Sequence, residues 1–117
     1  RDPAPGEIVV FREPGNDGRN LVKRVVAVHG QEVEVRNGDV FLDGMLVRES
    51  FVISPSSDTI PSYEVPEGTI FVMGDNRVNS LDSRYFGPVP VECIRGRAFI
   101  VFWPLSRFNI LSAFGTS

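Results

Sequence analysis

The sequence predicts an all-β domain, built from curled antiparallel sheets that form a partly closed, barrel-like fold with little helix. Three observations point there. Short runs rich in β-branched and aromatic residues recur along the chain, tight-turn dipeptides separate them, and no segment sustains a helical apolar period beyond a turn or two. Strands joined by short turns bury their apolar faces by curling or closing.

The first run is Glu7 to Arg12, after a turn-like opening at Arg1-Asp2-Pro3-Ala4-Pro5-Gly6. The second is Leu21 to His29. Strict alternation puts Lys23, Val25, Ala27 and His29 on one face, and Val22, Arg24, Val26 and Val28 on the other. Glu32-Val33-Glu34-Val35-Arg36 alternates between polar and apolar, which predicts one wet face and one buried face. Asn37-Gly38 then predicts a two-residue hairpin turn, because both central positions of that turn need positive φ. Asp39 to Leu42 returns, and Asp43-Gly44 turns again before Met45-Leu46-Val47. Ser54 to Ser62 is rich in Ser, Pro and Asp and reads as a connection. Val65-Pro66-Glu67-Gly68 turns into a strand at Thr69 to Met73. Arg95 to Trp103 is the last long strand, and Pro104 ends it because proline lacks the ladder amide. Phe108, Ile110, Leu111 and Phe114 form an apolar tail that would pack on the sheet.

At 117 residues the chain is read as one domain, residues 1–117, large enough to hold a core. Twelve basic residues against fifteen acidic ones leave no basic face for nucleic acid. A single cysteine, Cys93, excludes an intramolecular disulfide, and one Cys with one His cannot assemble a zinc site. No metal or other cofactor is expected. No apolar run reaches the roughly 18 residues that span a bilayer. The first residues carry no signal peptide, and the chain opens without Met, which reads as a piece of a longer protein.

The richest stretch is Gly74 to Arg84. It places two Asn, two Asp, two Arg and two Ser in eleven residues, directly after the apolar run Thr69 to Met73. Side chains of that kind beside a strand satisfy one another or serve a site. The ordered string Gly74-Asp75-Asn76, then Ser80-Leu81-Asp82-Ser83-Arg84, resembles the aspartate- and serine-rich box of type I signal peptidases, membrane-anchored serine proteases with a Ser/Lys dyad. Two further stretches resemble that family in the same order. Gly6 to Phe11 followed by Leu21 to Gly30 is similar to its lysine box, and Gly96 to Pro104 to its closing strand. One departure is His29-Gly30-Gln31, where the family usually has proline, glycine and aspartate.

The resemblance implies roles. Lys23 would be the general base, and Ser80 would orient its amine. A free lysine has a pKa of about 10.4, and lowering it by three units requires roughly 4 kcal/mol of preference for the neutral form. Burial can supply this. Lys23 stands among Leu21, Val22, Val25 and Val26, and Asp17 is the only acidic residue within eight positions of it. Taken alone it would read as a surface lysine with its ammonium in water, and Ser80 as a turn serine. The family further implies that Asp82 and Arg84 brace the Ser80 loop. Asp75 would pair with Arg24 or Arg84, Asn76 would belong to the same supporting box, and Gly74 would admit close approach to the amine. An extended signal peptide would add along Asn20, Leu21 and Val22, with Val10 below, and small side chains in an Ala-x-Ala motif would fit.

The family's nucleophile lies in a serine-methionine box upstream of the first strand, and no serine precedes Ser50 here. The expectation is that these residues carry the base and its support but lack the nucleophile, the oxyanion hole and the membrane anchor. The chain alone would then be inactive. Its uncovered sheet could self-associate. The expected partners are preprotein signal peptides and, through the missing anchor, the bilayer. The expected location is the extracytoplasmic side of the cell membrane. Other readings are a self-cleaving repressor-type Ser/Lys peptidase, a non-catalytic peptide-binding relative, and a generic ligand-binding barrel. His29 lacks any nucleophile-elbow sequence to serve, and Cys93 reads as a small core residue.

Overall fold

In the computed structural model, residues 3–15, 18–49 and 52–98 are described. Their strands are β1 (Ile8–Arg12), β2 (Asn20–Val28), β3 (Glu32–Arg36), β4 (Asp39–Leu42), β5 (Met45–Leu46), β6 (Ile60–Glu64), β7 (Thr69–Met73), β8 (Val89–Pro90) and β9 (Ile94–Ala98). One helical turn, α1 (Ser83–Phe86), and two 3-10 turns, Arg77–Asn79 and Val91–Cys93, complete them. The protein is therefore mostly β with little helix. The strands form two antiparallel sheets, in the orders β8-β7-β2-β1-β9 and β5-β4-β3-β6.

Neither sheet closes or curls into the expected barrel. β8 and β9 stand at opposite edges of the first sheet, and β5 and β6 at opposite edges of the second. Apolar faces are covered by packing between layers. Val26, Ala27, Phe71 and Met73 of the first sheet join Val33, Val35 and Val40 of the second in one buried cluster. The other face of the first sheet buries Val9, Phe11, Val25, Ile70, Val72, Val89 and Cys93. Phe86 of α1 packs on that second cluster and meets the Phe11 ring edge-on at 6.2 Å. Both faces of the first sheet are thus covered without closure.

The face assignment for β2 changes part-way along the strand. Val25 pairs with Val72 and Ala27 with Phe71, so Val26 is an extra residue in a bulge. A bulge puts two residues opposite one and resets the alternation. Val26 and Ala27 accordingly share the inter-sheet cluster, while Val25 and Val28 share the other. Without the bulge, Ala27 would have stayed with Val25. Lys23 and Arg24 precede the bulge and keep the plain alternation, on opposite faces.

Both hairpin turns form as the sequence predicts. Asn37 and Gly38 have φ of 51° and 88°, and Asp43 and Gly44 have 51° and 83°. At Gly38 an added Cβ would also run into the carbonyl of Ser56. The end of the Ser54–Ser62 connection is β6, a strand the composition did not reveal. It lies at a sheet edge, where Pro61 costs no interior ladder bond. The expected last strand is found as β9. Its continuation to Trp103 and the apolar tail at Phe108, Ile110, Leu111 and Phe114 lie outside the described residues.

Candidate active site

β2 and the loop after β7 bring the site together. Lys23 sits near the N-terminal end of β2, paired with Val9 on β1. Its half-buried amine donates to Ser80 Oγ at 2.7 Å. The two residues are 57 positions apart, so the contact exists only in the folded chain. Gly74 forms the floor beneath it. A Cβ added there would overlap Ser80 Oγ and stand 3.3 Å from Lys23 Nζ. Glycine is thus required by space and not by a positive φ.

The Lys23 amine lies below the ordinary lysine range. Burial is the largest cause, and the positive charges of Arg84 and Arg19 act in the same direction, while Asp82 opposes them. Desolvation disfavours the ammonium. Burial therefore shifts the balance toward the neutral amine, the form that can accept a proton, beside a hydroxyl that can donate to it or accept from it.

Three arginines, in four pairs with carboxylates, support this point. Asp82 is fully buried. Its carboxylate accepts from Arg84 Nε at 2.9 Å and Nη2 at 2.8 Å, from the Arg84 N–H at 3.0 Å and from the Gly74 N–H at 2.9 Å. It thus caps α1 and pairs with Arg84 within one helical turn. Arg84 Nη1 also donates to Asp58 at 2.7 Å. Of the two partners open to it, Asp75 takes Arg24, which donates to its two oxygens at 3.0 and 2.9 Å and to the Gly6 carbonyl at 2.9 Å. Arg77 donates to the Gly74 carbonyl at 2.7 Å and to both oxygens of Glu49 at 2.9 and 2.7 Å. Fork-shaped guanidinium pairs of this kind fix direction as well as charge.

The expected peptide-binding residues divide. Val10 pairs with Val22 on one face, and Val22 is exposed. A shallow depression of about 210 Å³ lies there, lined by Ile8, Val22, Lys23, Arg24 and Asp75. Leu21 points the other way, onto the Val9–Phe11 cluster. The main chain supplies the rest of the edge. Val25 donates to Glu7, and Glu13 to Arg19, so odd residues of β2 bond toward β1. Asn20 and Val22 therefore direct their N–H and C=O groups to the far side. β7 pairs with β2 only from Arg24 onward, so among the described strands that stretch has no neighbour on the side away from β1. Asn76 is exposed and its side chain makes no capping bond.

The match with known proteins is broad. The family model described as "Signal peptidase, peptidase S26" matches residues 1–103. The chain belongs to the signal peptidase family. These are serine endopeptidases, and the Lys23–Ser80 pair falls within the matched region. Among signal peptidases the chain is similar to "Probable signal peptidase I-1" of Synechocystis sp., 43% identical over 96% of this chain and 61% of that protein. Against "Thylakoidal processing peptidase 1, chloroplastic" of Arabidopsis thaliana it is 38% identical over 93% of this chain and 35% of that one. The chain thus spans about a third to three fifths of the length of these curated relatives. A crystal structure of a signal peptidase I from Enterococcus faecalis V583 superposes with a TM-score of 0.70 at 30% identity, covering 84% of this chain and 97% of that one.

Sequence reasoning missed four supporting side chains. Arg77 lies inside the recognised box, where Asp75 two positions away hid its need for a distant partner. Glu49 and Asp58 lie in connections with no local pattern. Ser83 accepts from the Val72 N–H at 2.9 Å and so ties the loop to β7. Among the described residues no group of His, Cys, Asp and Glu could hold a metal ion, and no helix is long and apolar enough to cross a membrane.

Proposed function

We propose that this chain carries the general base of a signal peptidase that removes signal peptides from secreted preproteins at the membrane, on the extracytoplasmic side. The observation that carries the reading is the 2.7 Å contact of a half-buried Lys23 amine with Ser80 over the Gly74 floor. Neutral Lys23 takes the proton from a serine hydroxyl as that oxygen attacks the scissile carbonyl, then returns it to the leaving amine. Ser80 fixes the direction of the amine lone pair. The substrate extends along the Asn20–Val22 edge as an added strand, and its small side chains face the depression beside Val22. The nucleophile is a serine of an upstream serine box outside these 117 residues, so this chain by itself does not cleave. Family membership and the unpaired edge of β2 support the substrate class. Relatives named for the thylakoid and for the mitochondrial inner membrane support a membrane setting.

The natural full-length protein, assayed in detergent on a preprotein with an Ala-x-Ala site, tests this. Cleavage should vanish in Lys23→Ala and fall by roughly a hundredfold in Ser80→Ala, the scale of a lost positioning contact. A serine-acylating inhibitor should label a residue upstream of Arg1. A label on Ser80 would overturn the role given to it, and wild-type protein that binds the peptide without cutting it would favour a non-catalytic relative.

A further inference from the structure

We infer that Arg77, anchored by Glu49, is a positioning residue that fixes the Gly74 peptide and, through it, the Lys23–Ser80 contact. The inference rests on the reading of Lys23 as a base. It starts from an unusual feature of Gly74, both of whose main-chain groups are held by charged side chains. Its N–H donates to Asp82 Oδ2 at 2.9 Å, and its carbonyl accepts from Arg77 Nε at 2.7 Å. Between those two bonds lies the Cα that touches Ser80 Oγ and faces Lys23 Nζ. A residue held at both ends cannot back away from the amine. A glycine loop without such restraint has wide conformational freedom.

Arg77 suits the task because one rigid fork serves three acceptors. Nε takes the Gly74 carbonyl, and Nη1 and Nη2 take the two oxygens of Glu49. The side chains of Arg77 and Glu49 are 1% and 8% exposed, so water screens neither. Lysine has no planar fork and could not fill all three contacts. Glu49 follows β5 of the second sheet, in a segment where the Val47 N–H donates to the Val40 carbonyl. The second sheet thus reaches the catalytic loop through a side chain, and a residue far from the recognised box sets the position of Gly74.

The consequence falls on Lys23. Asp82, Arg84 and Arg19 act on its charge, and Asp75, held by Arg24, lines the same depression. A loosened Gly74 admits water to the amine and weakens the burial that disfavours its charged form. The test follows the Lys23 Nζ titration by NMR in the natural full-length chain, with the resonance assigned by its loss in Lys23→Arg. Wild type is compared with Arg77→Lys and with Arg77→Met/Glu49→Leu, each checked by circular dichroism. If the double variant does not fold, Arg77→Lys carries the test. The expected result is a midpoint raised by roughly half a unit or more toward the ordinary 10.4, with kcat reduced at least tenfold and KM little changed. An unmoved midpoint in folded variants would overturn the inference, even if cleavage fell. A raised midpoint in a protein whose wild type cleaves nothing would uphold the clamp and sink the protease reading instead.

Discussion

Lys23 donates to one hydroxyl, is half-buried and lies against a glycine that has no room for a methyl group. Two predictions belong to this residue scale. Burial holds the amine below its unfolded-state value. Between the folded value and about 10.4, the unfolded chain binds more protons, so stability rises with pH across that window. Below the folded value the full penalty is present. Lys23→Met should therefore gain stability over wild type at pH 7 and lose that advantage as pH approaches about 10.4, read from urea midpoints at several pH values. The second concerns Gly74→Ala. The added methyl pushes Ser80 off the amine, and cleavage by the full-length protein should fall by roughly a hundredfold with the fold retained. A variant with near-normal turnover would mean that Ser80 and Lys23 tolerate separation.

At the scale of elements, turn chemistry and apolar alternation were legible in the sequence. Asn37-Gly38 and Asp43-Gly44 could mark hairpins because their signals are local. Gly38→Ala should cost more than about 1 kcal/mol in a urea melt, since it meets both a positive φ and the Ser56 carbonyl. A loss within error would show that the connection moves aside. The bulge at Val26 and strand β6 were not legible, for physical reasons. A bulge is set by the partner strand's register, and Ile60-Pro61-Ser62-Tyr63-Glu64 is a strand only because β3 offers it an edge. The site divided in the same way. Lys23 was readable from the lysine box, and Ser80, Asp82 and Arg84 from their order in the aspartate- and serine-rich box. Glu49 and Asp58 were not, because long-range ion pairs leave no trace in sequence spacing.

Across the whole molecule, the inter-sheet cluster ties the two sheets into one core, since Val26, Ala27, Phe71 and Met73 pack with Val33, Val35 and Val40. Arg77–Glu49 and Arg84–Asp58 add charged ties between the Gly74–Arg84 loop and segments outside it. Unfolding should be a single transition, with near- and far-ultraviolet circular dichroism coincident in denaturant. Separate transitions would mean that the second sheet melts on its own. Removing one partner of a buried pair should be costly. Arg77→Met alone should lose about 3–5 kcal/mol, because it strands Glu49, whereas Arg77→Met/Glu49→Leu should recover most of it.

The central claim is that this fold lowers the pKa of the Lys23 amine, and the titration of that amine tests the claim most directly. Lys23 is the only lysine among these 117 residues, and Lys23→Arg assigns its resonance in the full-length protein. The account predicts a titration midpoint below the ordinary value of about 10.4, moving up toward it in Ser80→Ala/Gly74→Ala as the amine gains water. A wild-type midpoint at or above that value would contradict it and would return Lys23 to the status of a surface cation.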